Sequence, residues 1–169
     1  MERQGLSKKV DASEFESDVT AMTRFAIERI KKIRDDIAND TLIDMHYALA
    51  VDARGTRMCV GFASDIKPDD IMEVHMPAMA KNYKWLSLTR DSYFCPEEDK
   101  PAYIEAGCPA LKDWPKAKDA VSVIVESRRG GIEVMIPYDR DGSGKRLLSK
   151  TLNLSTYGRQ KGLYWFGRV

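Results

Sequence analysis

Apolar residues recur along the first part of the chain with the period of a helix. Between Phe15 and Ile37 they stand three or four positions apart, and charged residues fill the positions between them. This pattern predicts an amphipathic α-helix over residues 14–38. Ser13 and Glu16 have the spacing of a capping box, in which the two side chains accept backbone N–H groups that the first turn leaves free. The sequence therefore predicts a long helix near the N-terminus.

Alternating apolar and polar residues predict two β-hairpins farther along the chain. Residues 42–51 and 56–62 are rich in strand-forming side chains and flank a turn sequence that ends at Gly55. Residues 120–126 and 132–137 alternate more regularly and flank a turn with two glycines. Strands joined by such short turns pair antiparallel.

The order of the predicted elements indicates the fold class. The remaining elements are a helix that begins near Pro68 and is interrupted at Pro77, a short strand 85–89, a proline-rich loop 95–119 that contains a short helix, and a final strand 163–166. A helix followed mostly by hairpins is typical of an α+β fold, here a long N-terminal amphipathic helix packed on a largely antiparallel sheet. We expect residues 1–10 to form a mobile tail and residues 11–169 to form a single domain.

Composition narrows the protein class. At 169 residues and 43% hydrophobic content, the chain is large enough to bury a core without a disulfide or a metal ion. It lacks a run of about 18 apolar residues, so we expect no transmembrane helix and no membrane partner. Cys59, Cys95 and Cys108 are widely spaced and form no CxxC pair. This usage is typical of reduced thiols and predicts a cytoplasmic protein. We expect Cys59 to be buried, Cys108 to be exposed, and the acids after Cys95 to disfavour its thiolate.

Basic residues are concentrated in the C-terminal quarter. Residues 127–169 contain nine lysines and arginines against three acids, although the whole chain carries a net charge of only +1. Basic residues interleaved with aromatic ones can contact phosphates and stack bases. Alternatively, this part simply packs against the acidic remainder of the chain. The candidate residues for a nucleic acid or nucleotide are Arg128, Arg129, Arg140, Lys145, Arg146, Arg159, Lys161 and Trp165.

The segment 139–146 resembles a ligand loop only superficially. A P-loop needs a glycine where Asp139 stands and a serine or threonine where Arg146 stands. An EF-hand loop that starts at Asp139 needs a glutamate where Lys150 stands. The segment therefore predicts an ordinary surface turn.

Catalytic candidates are few. Asp44 and His46 are two residues apart on a predicted strand and would share one face, where the carboxylate could orient the imidazole for acid–base chemistry. His75 is a further candidate, in the next predicted helix. The usual zinc spacing and the G-x-S-x-G motif are both absent from the sequence. We therefore predict no metal and no cofactor, and a structural or surface role is the default expectation for both histidines.

Three functional hypotheses follow. The leading one is a small binding or regulatory protein that acts through protein contacts, with a partner or with a second copy of itself. Its candidate surfaces are the apolar stripe of the long helix and the loop aromatics Phe94, Tyr103 and Trp114, since aromatic side chains anchor interfaces; the same aromatics could instead hold the loop against the domain. The second is a nucleic-acid or nucleotide-binding protein that uses residues 127–169. The third is a small hydrolase that uses His46 and Asp44.

Overall fold

The long N-terminal helix is confirmed. The computed structural model describes residues 12–38, 47–63, 65–158 and 162–168. Helix α1 spans Ala12–Ala38 and begins two residues before the predicted start. The tail predicted for residues 1–10 lies outside the described residues. None of the described helices is both long and apolar enough to cross a membrane.

Seven strands form one antiparallel sheet, which confirms the α+β fold. The strands are β1 (Tyr47–Val51), β2 (Arg57–Gly61), β3 (Trp85–Phe94), β4 (Lys118–Ser127), β5 (Gly130–Arg140), β6 (Arg146–Leu148) and β7 (Asn153–Gly158). Their order is β2-β1-β3-β4-β5, and both β6 and β7 pair with the outer side of β5. Both predicted hairpins, β1–β2 and β4–β5, are confirmed in antiparallel register.

Helix α1 covers one face of the sheet. Its buried stripe includes Met22, Phe25 and Ile33, which pack on alternate residues of β4 and β5 such as Val123 and Val134. Strand side chains point alternately to the two faces, so every second residue of β4 reaches this core. The apolar stripe that we considered as a dimer surface is therefore buried within the same chain from Met22 to Ile33.

A second, smaller core lies on the other face. It is covered by the helical segment that follows β2 and by the C-terminal residues Trp165 and Phe166. The segment comprises α2 (Pro68–Asp70), a π-helical turn (Ile71–His75) and α3 (Met76–Ala80). The interruption expected at Pro77 takes the form of this π-helical turn, because proline has no N–H to continue the α-helical pattern. The other short helix, α4, spans Lys100–Glu105.

Two details of the predicted structure are wrong. The final strand predicted at 163–166 is instead a bend that leads into a 3₁₀ turn at Phe166–Arg168. Cys59, expected in the core, is exposed. Its strand β2 lies at the edge of the sheet, away from β4 and β5 on which α1 packs. Alternation alone cannot tell an edge strand from a central one.

Candidate anion-binding cleft

One row of paired residues marks an end of the sheet. In strand order from β2 to β7, the row consists of Arg57, Val51, Trp85, Ser127, Gly130 and Gly158. Three described connections lie beyond it: the β1–β2 turn at 52–56, residues 81–84 before β3, and the β4–β5 turn at 128–129. We call this the basic end of the sheet, because each of these connections carries at least one lysine or arginine.

A cleft of about 370 Å³ opens at the basic end. Its lining residues are Ala53, Lys81, Asn82, Tyr83, Lys84, Trp85, Ser127, Arg128 and Arg129. Four of these nine side chains are basic, and none of the described residues that line the cleft is an aspartate or glutamate. The size lies in the range of small-molecule sites, and the charge favours an anion. We call it the basic cleft.

A tight turn brings two of the basic residues to the cleft. The β4–β5 hairpin has only Arg128 and Arg129 between its paired ends. The Ser127 hydroxyl closes this turn, since its oxygen accepts the backbone N–H of Arg129 at 3.2 Å. Glycine is required shortly after the turn, because a Cβ at Gly131 would lie 2.3 Å from the ring of Tyr157.

Two aromatic side chains accompany the charges. Trp85 and Tyr83 are half-buried and line the basic cleft. Part of the Trp85 ring packs against the core under α1, and part of Tyr83 packs against the second core. The Lys84 ammonium nitrogen lies 5.8 Å from the centroid of the Trp85 ring, within cation–π distance. The indole Nε1 of Trp85 is buried and has no hydrogen-bond partner among the described residues. Because this N–H is buried, only the exposed part of the Trp85 ring is available to a ligand in the cleft.

The one acid in the three described connections of the basic end serves the turn itself. Asp52 Oδ1 accepts the backbone N–H groups of Arg54 and Thr56, both at 2.8 Å. These hydrogen bonds, that from Thr56 most of all, hold the pKa of Asp52 below its ordinary value. Gly55 has φ +82°, a left-handed conformation that favours glycine. The side chain of Arg54 is exposed at the tip of this turn.

The other described basic residues that we predicted as contacts for a nucleic acid or nucleotide lie at the opposite end of the sheet. Arg140, Lys145 and Arg146 flank the β5–β6 turn, where Arg146 forms an ion pair with Asp91 at 3.1 Å. Arg140 donates to the carbonyl oxygen of Gly144 at 3.0 Å. The guanidinium groups of Arg140 and Arg146 lie 5.4 and 5.5 Å from the centroid of one tyrosine ring, that of Tyr138. Both arginines are therefore held by contacts within the chain.

Segment 139–146 has the geometry of a surface turn, as expected. Asp141 Oδ1 accepts the backbone N–H groups of Ser143 at 2.8 Å and Lys145 at 3.0 Å. The hydroxyl of Ser143 also donates to this oxygen, and these bonds hold the pKa of Asp141 below its ordinary value. Gly144 has φ +85°. The carboxylate is thus used to close the turn.

Trp165, predicted to stack bases, cannot do so in this structure. Its side chain is 0% exposed in the second core. The carboxylate of Glu126, which is also 0% exposed, holds the backbone of this segment against the sheet. It accepts the backbone N–H of Tyr164 at 2.7 Å and that of Trp165 at 2.8 Å. Arg159 and Lys161, the last two predicted contacts, lie outside the described residues.

Sequence reasoning missed Lys81 and Lys84 of the basic cleft, and it also missed the structural role of Glu126. Its carboxylate also accepts the Phe166 N–H at 3.1 Å and the Tyr157 hydroxyl at 3.0 Å. Burial, and next the charge of Glu126, raise the pKa of Tyr157. The only sequence signal was one acid in the apolar run 121–126, a position at which a buried charge requires several donors. The four donors come from residues 31 to 40 positions later.

The catalytic and metal candidates are not assembled by the described part of the chain. Asp44 and His46 lie outside the described residues. His75 is exposed on the π-helical turn, with its ring centroid 5.9 Å from that of Phe62. Within the described ranges, no group of three or more histidine, cysteine, aspartate or glutamate side chains could hold a metal ion.

The aromatic residues of the loop hold one another. The Tyr103 hydroxyl donates to the carbonyl oxygen of Pro109 at 2.6 Å, and the Tyr103 ring packs edge-on against Trp114 at 5.5 Å. Phe94 lines a second cleft of about 490 Å³ at the opposite end of the sheet. Burial and the nearby charge of Asp99 raise the pKa of Cys95, in the expected direction. Cys108 is exposed, as expected.

Comparisons with protein-family models, curated proteins and solved structures found no match to this chain.

Proposed function

We propose that the protein binds a phosphate-bearing ligand, a nucleotide or a nucleic acid, in the basic cleft. The observation that supports this proposal is the lining of the cleft, which combines Lys81, Lys84, Arg128 and Arg129 with no described acid. Four like charges that face one concavity repel one another, and a bound anion relieves that repulsion.

The residue types suit phosphate in particular. Arginine offers a planar fork of N–H donors that matches two phosphate oxygens, and lysine adds a compact positive charge. Trp85 and Tyr83 supply aromatic surfaces of the kind on which bases stack. Phosphate recognition with an adjacent aromatic surface is the chemistry of nucleotide binding.

The experiment compares two double variants that each remove two positive charges. Arg128→Gln with Arg129→Gln changes the basic cleft, and Arg140→Gln with Lys145→Gln changes the opposite end. ATP serves as the probe in isothermal titration calorimetry. We expect the first variant to lose about tenfold or more in affinity, since a hydrogen bond to a charged group contributes roughly 1.5–3 kcal/mol. The second variant should retain the affinity of the unmodified protein.

Two results would contradict the proposal. One is the absence of binding heat with millimolar ATP. The other is an equal loss in both variants, which would indicate a response to net charge rather than to the cleft. Circular dichroism of both variants checks that the fold is retained.

The hypotheses of protein contacts through Phe94, Tyr103 and Trp114, and of a hydrolase that uses His46 and Asp44, stay predictions. Tyr103 and Trp114 contact each other, which favours a role in holding their own loop. We therefore put forward no second function.

A further inference from the structure

The basic residues of the basic end extend beyond the basic cleft. Arg54 projects from the β1–β2 turn, next to Ala53 of the cleft lining. Lys81 and Lys84 precede β3, and Arg128 and Arg129 form the β4–β5 turn. The cations thus follow the order of the strands across this end of the sheet.

The described acids near the row form no ion pair with Arg54, Lys81 or Lys84. Asp52 Oδ1 is occupied by two backbone N–H groups of its own turn. Glu28 of α1 is paired with Arg57, which belongs to β2 rather than to the connections beyond the strand ends. Within the described part of the chain, no ion pair involves Arg54, Lys81 or Lys84.

The length of the row favours a ligand with several phosphate groups over one with a single phosphate group. From the β1–β2 turn to the β4–β5 turn, the row crosses three strand spacings, about 14 Å at roughly 4.8 Å each. Phosphates of a stacked strand follow one another at about 3.4 Å of rise, so this distance matches roughly four phosphates. A single phosphate group cannot contact both turns at once.

The aromatic residues lie in the middle of the row. Tyr83 and Trp85 stand at the start of β3, between the two basic turns. Aromatic side chains bind bases by stacking when the bases are unpaired. A cationic row with aromatics at its centre is therefore suited to a single strand.

We propose that the ligand is a single-stranded nucleic acid that lies across the basic end, with phosphates on Arg54, on Lys81 and Lys84, and on the Arg128–Arg129 turn. This inference rests on the proposed function and names its ligand class. Arg54 is the discriminating residue, because it lies at the end of the row farthest from the β4–β5 turn.

The experiment measures fluorescence anisotropy of labelled oligothymidylates of two, four and eight nucleotides over a range of salt concentrations. We expect affinity to rise up to about four nucleotides, and the slope of log affinity against log salt to reach about −3, at roughly −0.7 for each phosphate contact. Arg54→Gln should reduce the magnitude of that slope by about 0.7 for the eight-nucleotide strand, and should leave ATP binding unchanged. Lys145→Gln is the matched control and should alter neither the salt slope nor ATP binding.

The possible failures are distinguishable. If ATP binds at the basic cleft but longer strands bind no tighter and Arg54→Gln has no effect, this inference is wrong and the proposed function stands. Equal affinity for a duplex of the same length would also overturn it. If neither ATP nor any oligothymidylate binds, both proposals fail.

Discussion

The two ends of the sheet carry similar turns but opposite balances of charge. At the basic end, connections 52–56, 81–84 and 128–129 contain five basic residues and one acid. At the opposite end, connections 95–117 and 141–145 contain six acids and four basic residues. Each end has a cleft, but Glu97, Glu98 and Asp139 line the second one. The three connections of the basic end therefore carry a local excess of four positive charges on a nearly neutral chain.

The local chemistry of the turns does not explain that difference. The β1–β2 and β5–β6 turns share one set of hydrogen bonds, in which the first aspartate accepts the N–H groups two and four residues later. Each has a left-handed glycine at its fourth position. The surroundings of the two turns differ. Arg54 is exposed and follows Ala53 of the basic cleft, whereas Arg146 is paired with Asp91. Charge placement, rather than turn type, distinguishes the two ends.

The largest expected effect concerns Glu126, the buried carboxylate next to the basic end. Glu126→Gln replaces one carboxylate oxygen with an amide N–H₂ group. That group then faces either the donors of Tyr157 and Tyr164 or those of Trp165 and Phe166. We expect the free energy of unfolding to fall by roughly 3 kcal/mol, because buried donors lose a charged acceptor. Urea unfolding measures this.

A matched control lies on the same face of the sheet. Glu133 is half-buried and accepts the hydroxyl of Ser122 at 2.9 Å. Glu133→Gln should lower the free energy of unfolding by about 1 kcal/mol or less, because water can replace part of the hydrogen bonding that the carboxylate provided. Equal losses in the two variants would show that Glu126 is not the anchor of the C-terminal segment.

A smaller effect is expected at the glycine next to the Arg128–Arg129 turn. Gly131→Ala places a methyl group against Tyr157, so the ring must shift and its 3.0 Å hydrogen bond to Glu126 is strained. We expect a loss of about 1–2 kcal/mol in the free energy of unfolding. Gly142→Ala, in the β5–β6 turn where no atom lies within 4 Å of an added Cβ, is the control and should cost less than about 0.5 kcal/mol. A larger loss of unfolding free energy in Gly142→Ala than in Gly131→Ala would contradict this account.

The smallest expected effect is a change in melting temperature, and it should be the same for the β1–β2 turn and the β5–β6 turn. Hydrogen bonds lower the pKa of Asp52 and of Asp141 in the folded state. The stabilisation that each provides is present above the pKa of the unfolded chain and disappears as the pH falls through the lower folded pKa. Asp52→Asn and Asp141→Asn should therefore reduce the melting temperature slightly at neutral pH and not at strongly acidic pH. A melting-temperature difference that grows on acidification would contradict the assignment.

Local sequence patterns predicted most of the fold. The helical stripe and the alternation around Gly130 are signals within a few residues, and α1 and the β4–β5 hairpin follow from them. The failures involve contacts between distant parts of the chain. The segment that contains Trp165 has the composition of a strand, but its N–H groups bind the carboxylate of Glu126, 38 to 40 residues earlier.

The candidate site was predicted only in part for the same reason. Arg128 and Arg129 were identified from their charge, but so were Arg140 and Arg146, which lie at the other end of β5. Lys81 and Lys84 were not selected at all. They reach the basic cleft because Trp85 pairs with Ser127, a register that composition does not reveal.

The most direct test of the central claim is to follow the backbone amide signals of the ¹⁵N-labelled protein by nuclear magnetic resonance while ATP is added. The account predicts that the largest shifts occur at residues 81–85 and 127–130, with residues 138–146 nearly unchanged. Shifts concentrated at 138–146, or spread evenly over both ends of the sheet, would contradict it.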